Sequence, residues 1–299
     1  MITVSVCVPH VDTPWYLQAC LESIKAFSHP EIVTQVIAVD QSSQAHKSVA
    51  EKLCAAHGAH FVSTPRVDAG YPIDVALRNA TGEYFCSLDC DAWPIHKNWL
   101  WLPVQLIKRG LTDWVGADTG LAQAYAMRGK WIHLNNYYRI CRTEDAKAAS
   151  KAVGFMRYEN RDRCGHFVPL DKSWEALGKQ LHCDNGVIAQ WWCRNQKKLS
   201  LSVCRALGKT PEMGLYGMVI DDLVFHMVFG YGEEWIPNLM KTLGPDYLKL
   251  RERMQKGFGP ELIAELVPLT TFNDDYSRNL NGVLVEEETR KMIEEIKRS

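Results

Sequence analysis

The sequence lacks the motifs of several common protein classes, and each absence argues against one function. Its ten cysteines form no Cys-x-x-Cys pair, which argues against a zinc ribbon and against a dithiol redox motif. No Gly-x-Gly-x-x-Gly follows the first predicted strand, and no Gly-x-x-x-x-Gly-Lys-Ser/Thr occurs anywhere. The sequence therefore disfavours a dinucleotide-binding Rossmann domain and a P-loop nucleotidase.

The chain also has little net charge and no long hydrophobic run. A net charge of -1 gives no global reason to expect a nucleic-acid or membrane partner. No run of about 18 apolar residues appears, and the first residues lack the basic and apolar regions of a signal peptide. We therefore expect a soluble, cytoplasmic protein whose cysteines are free thiols.

The first hundred residues alternate between two apolar patterns. Runs rich in β-branched residues occupy residues 3–8, 33–39, 60–64 and 84–88, and segments with helical spacing of apolar residues occupy 16–27, 46–57 and 73–80. Repeated β/α units of this kind predict a mostly parallel sheet that is flanked by helices.

Three aspartates follow the predicted strands. Asp89 and Asp91 come directly after residues 84–88, and Asp40 directly follows residues 33–39. Aspartates at positions i and i+2 of an extended segment project the same way, so both can face one hard divalent cation. The carboxyl ends of parallel strands form the crevice where ligands bind. An isolated Asp-x-Asp is more often a turn or a helix cap, so the context must decide.

Four segments resemble the family 2 type glycosyltransferases in their order and spacing: residues 4–9 (VSVCVP), 36–43 (VIAVDQSS), 77–84 (LRNATGEY) and 88–91 (LDCD). The resemblance implies a GT-A-like fold, in which a nucleotide-diphosphate sugar, here a UDP-sugar, lies across the carboxyl ends of the strands. The turn after the second strand, Asp-Gln-Ser-Ser, departs from the acidic-acidic-Gly-Ser usual in the family.

The same resemblance implies roles for individual residues. Asp40 resembles the acid that holds the uracil or ribose, and Pro9 lies at the nucleotide-binding turn. Arg78 and Asn79 resemble the segment beside the sugar-nucleotide. Asp89 and Asp91 resemble the pair that binds Mn²⁺ or Mg²⁺.

Two later residues complete the predicted site. Asp184 resembles the family's catalytic base, which an inverting transfer needs near the acceptor hydroxyl, although an aspartate there could also cap the following helix. His226 ends an apolar run and resembles a third metal ligand found late in GT-A enzymes, although a lone histidine is more often structural. Asp221 and Asp222 are alternative ligands.

Residues 125–180 are predicted to form a basic, aromatic-rich insertion. They contain eleven Lys or Arg against six acids. Such a segment would suit an acceptor, including a hydroxylated base in DNA, because basic residues and aromatic rings bind nucleic acid. A solvent-exposed helical insertion with its own small core explains the pattern equally well.

We therefore predict a GT-A-like catalytic domain at residues 1–230 and a helical C-terminal extension at 231–299. The predicted activity is metal-dependent, inverting transfer of a sugar to a hydroxyl of a glycan, protein, small metabolite or DNA base. The alternatives are a sugar-nucleotide nucleotidyltransferase and a non-catalytic carbohydrate- or nucleic-acid-binding protein on the same scaffold. The sequence does not indicate the oligomeric state.

Overall fold

The computed structural model of the protein describes residues 1–117, 134, 136–156, 185–204, 206–208, 217–220 and 223–227. In chain order the strands are β1 (Ile2–His10), β2 (Ile32–Asp40), β3 (His60–Ser63), β4 (Tyr84–Leu88), β5 (Ala92–Pro94), β6 (Trp114–Ala117), β7 (Tyr138–Arg142), β8 (Leu201–Cys204), β9 (Ala206–Gly208), β10 (Gly217–Ile220) and β11 (Val224–Met227). The helices are α1 (Pro14–Ala26), α2 (Gln44–Ala56), α3 (Tyr71–Asn79), α4 (Trp101–Lys108), α5 (Thr143–Ala152) and α6 (Val187–Trp192), and a π-helical turn (Cys193–Lys197) extends the last.

The main sheet has seven strands in the order β3-β2-β1-β4-β7-β6-β8. Strands β3, β2, β1 and β4 run parallel, and β6 runs parallel to β8. Strand β7 is antiparallel to both of its neighbours, β4 and β6. The predicted GT-A-like, mostly parallel sheet with flanking helices is therefore confirmed.

Both faces of this sheet are buried, as the apolar runs predict. Successive side chains of a strand point to opposite faces. In β1, Val4, Val6 and Val8 join the core under α1, α2 and α4, while Cys7 joins the core under α3, α5 and α6. Almost every residue of β1 is consequently buried, which explains why the strand reads as a continuous apolar run.

A second sheet of four strands, in the order β5-β11-β10-β9, is antiparallel throughout. Strand β5 begins one residue after Asp91, so the chain passes from the main sheet into the second sheet within the segment that carries the two aspartates. This connection brings β11, which comes late in the chain, next to the end of β4.

The remaining predictions about chain organisation concern segments that are largely outside the described residues. Within residues 125–180 the structure describes 134 and 136–156, and there β7 and α5 belong to the main sheet and its cover. The predicted extension at 231–299 lies outside the described residues. No helix in the described ranges is long and apolar enough to cross a membrane.

Candidate active site

The two aspartates of the Asp-Cys-Asp segment lie at the carboxyl end of β4. The Asp89 N–H donates to the Tyr137 carbonyl oxygen at 3.2 Å, which continues the pairing of β4 with β7 beyond Leu88. The Ala92 N–H then donates to the Asp89 carbonyl oxygen at 2.9 Å and closes a turn. The backbone of Asp89 is thus held on both sides, and the turn holds Asp91 immediately before β5.

His226 reaches this turn through the second sheet. Strand β11 pairs with β5 so that His226 lies opposite Ala92, directly beside Asp91. The His226 Nε2 and the Asp91 Oδ1 are 3.5 Å apart, and one ligand atom from each of Asp89, Asp91 and His226 lies within 4.8 Å of the others. The structure therefore brings together the three residues that were predicted to bind a metal ion.

The geometry and chemistry of this group fit a divalent cation such as Mn²⁺ or Mg²⁺. Ligand atoms about 2.1 Å from such an ion are about 3 Å apart when they are adjacent in an octahedron, and the 3.5 Å between His226 and Asp91 is close to this value. Carboxylate oxygen suits hard cations, and imidazole nitrogen adds a preference for transition metals. The group thus favours Mn²⁺ over Mg²⁺.

The imidazole ring of His226 is held mainly by stacking. The ring of Tyr137 lies 4.0 Å from it, centroid to centroid, at an interplanar angle of 9°. The His226 Nδ1 is buried and has no hydrogen-bond partner in the part of the chain that the structure describes. A metal-binding histidine usually donates this second nitrogen to an acceptor that fixes the ring, so here Tyr137 performs the orienting role.

Asp40 lies at the other end of the candidate site, where β1 and β2 end side by side. Its Oδ1 accepts hydrogen bonds from His10 Nδ1 at 2.7 Å and from Ser42 Oγ at 2.6 Å. The Thr13 N–H donates to His10 Nε2 at 3.2 Å, so Nε2 is an acceptor and the proton of a neutral imidazole sits on Nδ1. The side chains of His10 and Asp40 are almost fully buried.

The carboxylate of Asp40 is stabilised in its charged form. Burial raises the pKa of Asp40, but the hydrogen bonds from His10 and Ser42 outweigh this effect, and the pKa lies below its usual value. The second carboxylate oxygen, Oδ2, is buried and has no hydrogen-bond partner among the described residues. A charged carboxylate oxygen that lacks a hydrogen bond is a strong acceptor.

Asp12 ties together the loops that follow β1, β2 and β3. Its Oδ1 accepts from the N–H and the hydroxyl of Ser43, both at 2.8 Å, and its Oδ2 accepts from Arg66 at 3.1 Å. Asp12 adopts a left-handed backbone with φ of 51°, which aspartate tolerates better than most residues. These contacts fix the loops beside Asp40.

Of the other residues that were predicted to bind the sugar-nucleotide donor, Pro9 lies near Asp40 and Asn79 does not. Pro9 is buried in β1, pairs with Val39 and immediately precedes His10, so it lies beside Asp40. Asn79 lies at the opposite end of the sheet, where its carbonyl oxygen accepts from Gln35, the register partner of Ser5. Ser5 and His10 are about 16 Å apart along the strand, so the structure does not bring Asn79 to the cluster.

Arg78 precedes Asn79 at the same end of α3, and its side chain is exposed. The reason is the direction of the helix. After a strand that runs toward the site, a crossover helix must return the chain to the other end of the sheet, so only the first turn of α3 is near the carboxyl ends. Asp184, Asp221 and Asp222 lie outside the described residues.

His10, Ser42 and Tyr137 belong to the site, although the sequence did not predict them. His10 could have been found from its position, because it ends β1 just as Asp40 ends β2, and strands in parallel register place such residues side by side. Tyr137 gives no comparable sequence signal, since aromatic residues are frequent in the segment around it.

Comparison with known proteins identifies a family. The family model described as Glycosyl transferase family 2 matches residues 5–174, which is more than half of the chain. No curated protein sequence matches the chain significantly.

The solved structures to which the chain is similar include the following three. A mannosyltransferase from Pyrobaculum calidifontis in complex with GDP-Man and Mn²⁺ is 19% identical, with a TM-score of 0.41 over 51% of this chain and 47% of that one. S. aureus TarS is 20% identical, with a TM-score of 0.40 over 52% of this chain and 50% of that one. Glucosyl-3-phosphoglycerate synthase from Mycobacterium tuberculosis is 17% identical, with a TM-score of 0.41 over 55% and 67%. The chain spans about half the length of the first two, and similarity at this level does not indicate a shared substrate.

Proposed function

The chain belongs to glycosyl transferase family 2, and we propose that it transfers a sugar from a nucleotide-diphosphate sugar, specifically a UDP-sugar, to an acceptor hydroxyl. The observation that carries this proposal is the convergence of Asp89, Asp91 and His226 at the carboxyl end of β4. This group and Asp40 stand at the carboxyl ends of β4 and β2, the two neighbours of β1. One edge of the sheet therefore carries a cation site and a hydrogen-bond acceptor, the two features that binding of a nucleoside diphosphate requires.

Asp89, Asp91 and His226 would hold the cation at the diphosphate. A divalent cation there supplies Lewis-acid stabilisation of the negative charge that develops on the leaving diphosphate. The contribution of the chain is to fix the ligands before the donor binds. The backbone hydrogen bonds of Asp89 and the strand pairing of His226 hold these groups in place, so little reorganisation is needed during the reaction.

Asp40 would bind the base of the donor. His10 and Ser42 occupy its Oδ1, which leaves Oδ2 as an acceptor. Uracil presents a ring N3–H donor to such an oxygen, whereas the corresponding ring nitrogen of cytosine is an acceptor. A uridine donor is therefore favoured over a cytidine donor, because two opposed acceptors would both remain unpaired in a buried site.

We propose Asp184 as the base that removes the acceptor proton in an inverting transfer, on the resemblance of its sequence position alone. Asp184→Asn should abolish transfer while donor binding is retained. An Asp184→Asn protein that transfers sugar at the normal rate would remove this assignment.

DNA as the acceptor depends on the basic segment at 125–180, much of which lies outside the described residues. Transfer to a hydroxylated base in DNA would fall steeply with salt, because phosphate contacts release counterions. Transfer that is insensitive to salt would exclude this acceptor.

The decisive experiment is a screen of sugar-nucleotides for Mn²⁺-dependent hydrolysis. We expect a UDP-sugar to be hydrolysed to UDP and free sugar, with activity lost in EDTA and in Asp91→Asn but kept in Glu51→Gln, an exposed control on α2. Formation of UTP and sugar-1-phosphate from the UDP-sugar when pyrophosphate is added would instead indicate the nucleotidyltransferase alternative. Calorimetric binding of UDP with no turnover of any donor would indicate a non-catalytic binding protein.

A further inference from the structure

Arg139 is a buried arginine without an acceptor for its guanidinium group. It lies in β7, only 2% of it is exposed, and its Nη1 and Nη2 atoms have no hydrogen-bond partner in the part of the chain that the structure describes. Burial lowers the pKa of Arg139, but a guanidinium keeps its charge in proteins. The fold therefore encloses a permanent positive charge, which the carboxylate of Asp89 favours electrostatically but to which no acceptor among the described residues is hydrogen-bonded.

Two aromatic rings are the contacts that partly stabilise this charge. The Arg139 Cζ lies 5.0 Å from the centre of the Phe155 ring and 5.4 Å from that of the Trp114 ring. Cation–π contacts recover only part of the hydration that an arginine loses on burial. They leave Nη1 and Nη2 of the guanidinium without a hydrogen-bond acceptor among the described residues.

Arg139 lies between the strand that leads to the Asp-Cys-Asp segment and the start of α6. Its register partner in β4 is Ser87, two residues before Asp89. On the other side, a Cβ atom on Gly186 would lie 2.8 Å from Arg139 Nη1, so the guanidinium touches the start of α6. Gly186 lies two residues after Asp184, the proposed base.

We propose that Arg139 forms an anion subsite that binds a carboxylate or phosphate-monoester group of the acceptor. The planar fork of Nη1 and Nη2 suits either anion in a two-point contact. The donor diphosphate belongs to the cation group at Asp89, Asp91 and His226, so this second positive site serves the other substrate. This inference rests on the proposed function in assigning the anion to the acceptor.

An enclosed guanidinium also limits the size of the acceptor group. A carboxylate or phosphate monoester ends a molecule and can be surrounded. A phosphodiester in DNA continues on both sides and cannot be enclosed in this way. The subsite thus favours a small or terminal anionic acceptor over a nucleic acid.

The test is thermal unfolding of the full chain in inorganic phosphate and, separately, in acetate, with EDTA present so that the cation site does not contribute. At a phosphate concentration of about ten times its Kd, we expect the Tm to rise by about 3 °C. The rise should be present in Arg142→Met, a control on the same strand, and absent in Arg139→Met. A larger rise with phosphate than with acetate indicates a phosphate monoester, and the reverse indicates a carboxylate.

Two results would overturn the proposal: no rise in the wild-type protein with either anion, or an equal rise in wild type and Arg139→Met. If Arg139→Met does not fold, Arg139→Lys replaces it, because an ammonium group keeps the charge without the planar fork. We expect Arg139→Lys to show a smaller rise than wild type, and an equal rise would contradict the proposal.

Activity measurements separate this inference from the proposed function. With an acceptor in hand, Arg139→Met should raise the acceptor KM at least tenfold and leave the donor KM and the hydrolysis of the donor unchanged. If phosphate raises the Tm through Arg139 but the protein hydrolyses no sugar-nucleotide, the anion subsite is supported and the proposed function is contradicted. If the protein transfers sugar only to neutral acceptors, the proposed function is supported and the anion subsite is contradicted.

Discussion

Tyr137 stacks face to face on His226, with ring centroids 4.0 Å apart and an interplanar angle of 9°. The two residues come from different sheets, since Tyr137 precedes β7 of the main sheet and His226 lies in β11 of the second. The carbonyl oxygen of Tyr137 also accepts from the Asp89 N–H. One residue therefore contacts two members of the proposed cation site.

Loss of the Tyr137 ring should weaken cation binding. Tyr137→Ala leaves the His226 ring without its stacking partner, and loss of a group that orients a metal ligand typically costs about 10-fold or more in metal affinity. Tyr137→Phe keeps the stacked ring and should bind Mn²⁺ nearly as well as wild type. Calorimetric titration with Mn²⁺ measures both variants. Equal affinities of the two variants would show that the stacking does not orient His226.

Replacement of the Asp40 carboxylate should weaken donor binding. In Asp40→Asn the amide removes the negative charge and can turn an N–H toward the base, so the acceptor for a uracil N3–H is lost. We expect binding of UDP to weaken by about 10-fold or more, because a hydrogen bond to a charged group is worth about 1.5–3 kcal/mol.

The comparison that isolates the base is binding of UDP against CDP, measured by calorimetry with Mn²⁺ present. Wild type should prefer UDP, and Asp40→Asn should bind the two with similar affinity. An unchanged preference in Asp40→Asn would mean that another group reads the base.

The depressed pKa of Asp40 makes the folded state sensitive to acid. The unfolded carboxyl titrates near its ordinary value of about 3.9, whereas the folded carboxyl titrates lower. Its stabilising contribution is therefore present above the unfolded pKa and is lost as the pH falls from about 4 through the folded pKa. Urea unfolding at about pH 5 and about pH 3 should show a larger loss of unfolding free energy in wild type than in Asp40→Asn. Equal losses would show that Asp40 is not stabilised in its charged form.

Gly186 should tolerate a methyl group far less well than Gly58. Both have a positive φ, 79° and 68°, so alanine strains the backbone at either position by about 1 kcal/mol. A Cβ at Gly58 meets nothing within 4 Å, whereas a Cβ at Gly186 would lie 2.8 Å from Arg139 Nη1 and 2.9 Å from Asn136 Oδ1. We expect Gly186→Ala to destabilise the protein by about 2 kcal/mol more than Gly58→Ala, because overpacking adds about 1–3 kcal/mol. Equal losses in denaturant unfolding would show that the guanidinium can move away.

Local sequence patterns determined much of the main sheet. The buried strands β1 and β4 appear as apolar runs because helices cover both faces, and the aspartates stand at strand ends because the polarity changes where the backbone leaves the core. These are properties of neighbouring residues, so they can be identified without knowledge of the fold. The mostly parallel sheet was predictable for this reason, and Asp40, Asp89 and Asp91 could be expected at one edge of it.

Relations between distant segments were decided only by the tertiary structure. A prediction for Arg78 and Asn79 requires the direction and phase of α3, and the return of that helix places both residues away from the cluster. The pairing of β11 with β5 brings His226 to Asp91 across 134 intervening residues, and no local pattern contains that register. The Asp-Cys-Asp segment by itself specifies two carboxylates at a strand end. The second sheet adds the imidazole, and Tyr137 adds the ring that orients it, because packing between the sheets determines these contacts.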